Sequence, residues 1–72
     1  MYLFHFTNVG GGKLNWSEQL PDIEPRTVLK AVKKRRAIAS RYPAIVFDEG
    51  EESGGIICGF RCCGEFTLKK LS

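Results

Sequence analysis

Three thiols and one imidazole are the side chains of this chain best suited to metal or covalent chemistry: Cys58, Cys62, Cys63 and His5. By type they make a valid zinc set. Their spacing works against it. Zinc sites draw paired cysteines from a tight knuckle, whereas Cys58 falls within a strand-like run, and a strand continuing past it carries Cys62 about 13 Å away. Core packing for Cys58 and a turn for Cys62 and Cys63 are expected, with no metal. A nucleophilic Cys–His pair has less behind it. His5 sits between Phe4 and Phe6 on a strand, and nothing marks either partner as activated. Gly10-Gly11-Gly12-Lys13 holds the residue types of a phosphate loop without its G-x-x-x-x-G-K-[ST] spacing, and Leu14 stands where the hydroxyl should be. A hairpin turn is the better reading. No catalytic constellation and no cofactor site is expected, so the chain reads as a non-enzyme.

The feature that remains is charge. Residues 26–41 hold seven of the eleven basic residues and no acid, while Asp48, Glu49, Glu51 and Glu52 put four of the eight acids in one loop. At 100° per residue, Val28, Ala31, Val32, Ile38, Ala39 and Tyr42 form an apolar stripe, with Arg26, Lys30, Lys33, Lys34 and Arg41 opposite. Arg26, Lys30, Lys33, Lys34, Arg36 and Arg41 are therefore the candidate binding residues. A cationic face attracts polyanions, either an acidic protein surface or the phosphates of nucleic acid. Solvation of an outer helix face is the commoner origin of such a run. The net charge of only +3, and the lack of an interleaved aromatic for bases to stack on, weigh against nucleic acid. Arg35 falls inside the apolar stripe, where it must snorkel or pair with a carboxylate, Glu65 and Asp48 being candidates.

These residues need elements to carry them. Tyr2, Phe4 and Phe6 alternate along a strand over 2–7. Asn8 to Gly12 predicts a turn, and Leu14 and Trp16 would share a face of any short return strand. Trp16 itself is expected to plug the core rather than stand exposed as an interface anchor. Asp22 is a candidate N-cap and Pro25 a first-turn proline, so one helix is predicted over 26–41, stopping before Pro43. Strands follow at 44–48, 55–61 and 65–70, the last two joined by a tight turn at Cys62-Cys63-Gly64, with Ile56, Cys58 and Phe60 on one face. The predicted fold is α+β, in the order βαβββ: a small antiparallel sheet, made of a three-stranded C-terminal meander plus the N-terminal strand, with one helix packed on one face.

With 72 residues the chain is sized for one small domain, residues 1–72. A folded chain this short buries only about 60% of its unfolded surface, so a deep catalytic pocket is not expected, whereas association with itself or a partner would bury more. No uninterrupted apolar run exceeds four residues, Ala44 to Phe47 being one, which argues against membrane partners. The odd cysteine count, and a start without a basic leader, predict a reducing cytoplasmic setting.

In size and in its small sheet with one helix, the sequence resembles the small accessory proteins of bacteriophages, inhibitors of bacterial defence among them. That resemblance is one of style, carries no motif, and implies a stoichiometric binder. The expected function is a non-enzymatic binding or regulatory protein acting through a charge-polarised surface; the alternative is a nucleic-acid-binding domain using the basic helix.

Overall fold

The structure, a computed structural model, describes residues 1–35, 43–50 and 52–71. Five antiparallel strands form one sheet, β1 (Tyr2–Val9), β2 (Leu14–Leu20), β3 (Pro43–Phe47), β4 (Ser53–Cys58) and β5 (Arg61–Lys70), in the spatial order β2-β1-β5-β4-β3. The helix α1 (Pro25–Lys34) follows β2, so the chain order is ββαβββ. The α+β class and the meander match the sequence reading. The order βαβββ does not: the return strand is a full seven-residue element, and β1 is flanked by β2 on one side and β5 on the other.

Alternation along the strands builds one buried face. Cross-strand partners share a face, which aligns Trp16, Phe6 and Phe66 in one row and Glu18, Phe4 and Leu68 in the next. Phe4, Phe6, Phe66 and Ile56 are fully buried under Val28, Ala31 and Val32 of α1. The rings pack closely: centroids lie 5.8 Å apart for Phe4–Phe6, 5.6 Å for Phe4–Phe66, and 5.4 Å, edge-on, for Phe47–Phe66. The opposite face, with His5, Thr7, Ser17, Glu65 and Thr67, is open to solvent, as half-covered antiparallel sheets commonly are.

Two irregularities adjust the phase. Between Phe6 and Val9 the β1–β2 register shifts, with Asn8 in the left-handed region at φ 52°. Such a bulge spends one extra residue and turns the strand over. Val9 thereby joins the buried set, where alternation alone would place it outside. A second shift sits between Ile56 and Ile57 in the β4–β5 ladder, opposite Cys63.

That second ladder corrects the predicted turn. Cys62, Cys63 and Gly64 lie within β5, not at its head. The chain reverses at Gly59-Phe60, with Cys58 paired to Arg61. Gly59 has φ 66°, as the first central residue of a two-residue type II′ loop requires. Phe60, expected to face the core with Ile56, is instead fully exposed at the hairpin tip. Gly64 is needed elsewhere: a Cβ there would sit 3.0 Å from the Val9 Cα, so glycine lets β1 and β5 approach.

The helix begins at Pro25, whose missing N–H costs nothing in a first turn. Glu24, not Asp22, is the N-cap residue, and its side chain makes no cap. Asp22 acts from two residues earlier: its carboxylate accepts the Glu24 N–H at 3.0 Å. The Thr27 hydroxyl, first, and that N–H hold the Asp22 carboxyl below its ordinary pKa. At the other end the Arg35 N–H closes on the Val32 carbonyl at 3.2 Å, and Lys33 and Lys34 face the negative end of the helix dipole. The remainder of the predicted helix, 36–41, lies outside the described residues, and Arg36 and Arg41 with it.

Candidate interaction surface

Helix α1 bridges the two ends of the sheet, packing against β3 on one side and β2 on the other. Its buried stripe of Val28, Ala31 and Val32 fixes the orientation of everything else on it. Arg26, Lys30, Lys33 and Lys34 are accordingly exposed, and Pro25–Lys34 carries no acidic residue. Four of the six candidate binding residues therefore share one helix; the other two, Arg36 and Arg41, are not described.

The four are not equivalent. Lys34 Nζ lies 3.3 Å from Glu18 Oε2 on β2, with the lysine still 70% exposed. A pair so open to water is worth about 0–1 kcal/mol. Among the described residues Arg26, Lys30 and Lys33 make no ion pair, so their charge is directed outward. Lys30 and Lys34, one turn apart, line a groove between α1 and β2 together with Glu18, Leu20, Pro21, Thr27 and Ala31.

Arg35 is neither in the apolar stripe nor paired with Glu65 or Asp48. The helix ends at Lys34, so 100° stepping no longer applies to it. Arg35 is exposed and its guanidinium sits 5.2 Å above the Trp16 ring. Trp16 in turn stacks on Phe6, centroids 4.6 Å apart, and its Nε1–H donates to Glu18 at 3.3 Å. Trp16 is half-buried, closing the core beneath and carrying a cation above. Sequence reasoning missed this Phe6–Trp16–Arg35 stack; its only trace was Trp16 next to the polar residues of a return strand.

The residues considered for chemistry are separated. Cys62 is exposed on the open face, its thiol donating to the Gly64 carbonyl at 3.2 Å, while alternation places Cys58 on the helix-covered face. Among the described residues no three His, Cys, Asp or Glu side chains gather as metal ligands. His5 faces solvent and shares a 2.5 Å hydrogen bond with the Ser17 hydroxyl across the β1–β2 ladder. Sequence reading did not foresee that pair, because only strand register sets it. Gly10 to Lys13 form the β1–β2 turn, and a strand, not a helix, follows them.

One further contrast is spatial. The turn at Gly10–Lys13, the C-terminal end of α1 and the β4–β5 turn lie at one end of the sheet, so Lys13, Lys33, Lys34, Arg35, Arg61 and exposed Phe60 all lie toward that end. Asp22, Glu24, Asp48, Glu49 and Glu52 lie at the other end, beside the chain termini, with Arg26, Lys69 and Lys70 among them. No described helix is long and apolar enough to cross a membrane. Compared with protein-family models, curated proteins and solved structures, the chain matches none.

Proposed function

We propose that this chain is a small non-enzymatic binding protein that docks an acidic protein surface through the outer face of α1. The observation that carries the reading is the outward display of Arg26, Lys30 and Lys33 on a helix without acids. A helix anchored by a buried stripe presents those charges on a rigid base, which lowers the ordering cost of binding. Complementary charge of this kind speeds encounter and selects partners more than it adds affinity. A binder of this size acts by covering a partner's surface, as a stoichiometric inhibitor of the phage accessory type does. A reducing, cytoplasmic setting belongs to the same proposal.

One observation favours nucleic acid as a second reading. The exposed Phe60 stands beside Arg61 at the basic end of the sheet, where a base could stack. A single experiment separates the two. Fluorescence anisotropy of labelled oligoglutamate, duplex DNA and single-stranded RNA is measured with wild type and with the R26E/K30E/K33E variant. The protein-partner reading expects oligoglutamate binding that the variant loses, and no nucleic-acid binding at about 150 mM salt. Nucleic-acid binding whose log affinity falls by about 0.9 per phosphate contact for each log unit of salt establishes the second reading. Oligoglutamate binding that the variant keeps overturns the first.

A further inference from the structure

We propose that the groove between β2 and α1 receives an extended, acidic segment of a protein partner as an added strand, paired to the edge of β2 that no described strand covers. This rests on the reading that the partner is an acidic protein, and specifies how it is held.

The two ends of the sheet differ in how they are protected. Edge strands are normally blunted by shortness, proline or lysine. β3 is five residues long, opens on Pro43 and is the strand that α1 packs against most closely. β2 is seven residues long, Leu-Asn-Trp-Ser-Glu-Gln-Leu, with no proline and no lysine or arginine, and pairs with β1 alone among the described strands. Its one inward acid, Glu18, is already held by Lys34 and the Trp16 Nε1–H. β2 is thus a template for main-chain pairing, and α1 stands beside it as the second wall of a groove.

Spacing defines what fits. Leu20 meets the groove with Thr27, Lys30 and Ala31, Glu18 meets Lys34, and Trp16 meets Arg35. The helix therefore runs back alongside β2. Lys30 and Lys34 are about 6 Å apart along the helix axis. On an added strand about 4.8 Å from β2, residues i and i+2 face the helix about 6.8 Å apart. Glutamates or aspartates at those two positions meet the two ammonium groups. A second copy of this chain is the poorer occupant: pairing β2 with β2 across a two-fold axis brings two lysine walls together.

The probe is a capped eight-residue peptide alternating threonine and glutamate, titrated into the full 15N-labelled chain. Strand addition predicts slowed amide exchange along β2 and shift changes confined to β2 and α1. The K30E/K34E variant binds at least about tenfold more weakly. The decisive control leaves the protein untouched: two peptides carry N-methyl groups on odd or on even amides, with charge unchanged. Only one set of amides points at β2, so one peptide loses about tenfold or more, as expected for two lost main-chain hydrogen bonds, and the other binds normally. Equal binding of both, with shifts on Arg26 and Lys33 and none on β2, overturns strand addition while the charge-based reading stands. Absence of peptide binding, or a peptide-independent dimer with β2 amides already protected, also overturns it.

Discussion

Asp22 shows how a single side chain sets a boundary without occupying the expected position. The sequence pointed to it as an N-cap, and the structure places Glu24 there, yet Asp22 still supplies the acceptor that the helix start needs. Its carboxyl pKa is lowered by the Thr27 hydroxyl and then by the Glu24 N–H. A depressed folded-state value means the contribution is complete above the unfolded value, about 3.9, and disappears as pH falls through the folded one. D22A should therefore melt below wild type at pH 7 by circular dichroism, and the gap should close as pH falls toward 2. A gap unchanged at that pH would show that the carboxylate's charge is not what Asp22 contributes. Arg35 makes the complementary point. Its helical phase put it in the core, but the helix ended one residue earlier and its guanidinium found the Trp16 face instead.

At the scale of elements, glycines decide where strands meet. An added Cβ at Gly54 would strike the Val46 carbonyl oxygen and lie 2.5 Å from the Phe66 ring. At Gly64 it would press on Val9 in the neighbouring strand. Gly59 has open space around it but a left-handed φ. Gly12 has neither constraint. G54A and G64A should each cost about 1–3 kcal/mol through overpacking, G59A about 1 kcal/mol through backbone strain, and G12A should be close to neutral. Urea denaturation midpoints rank the four, and a neutral G64A would refute the close approach of β1 and β5. These same glycines explain the misread hairpin. Cys62-Cys63-Gly64 has a turn's composition, but Gly64 serves lateral packing, and the reversal went to Gly59 at the cost of exposing Phe60.

Among the described residues, the molecule is an aromatic layer under the helix α1. Phe4, Phe6 and Phe66 are buried together, with Phe47 and Trp16 packed around them. Truncating a buried Phe costs about 3–5 kcal/mol, and a core of this size supplies about 3–5 kcal/mol in total. F66A should therefore show no cooperative thermal transition and a collapsed amide dispersion in its NMR spectrum, whereas F60S should melt with wild type because Phe60 touches no core. An F66A variant that unfolds cooperatively near the wild-type temperature would show that stability resides elsewhere.

Local pattern was enough for the parts of this protein whose period is local. Alternation in Tyr2-Leu3-Phe4-His5-Phe6 marked the buried face of β1, and Val28, Ala31 and Val32 marked the buried side of α1, because burial selects apolar residues at the period of each element. The outward direction of Arg26, Lys30 and Lys33 followed from the same stripe. Position along the chain said nothing about which strands are neighbours. The β1–β5 pairing, the His5–Ser17 bond, the bulges that bring in Val9 and place Cys63, and the groove between β2 and α1 all depend on contacts between residues distant in sequence, and only closure of the sheet around its aromatic layer creates them.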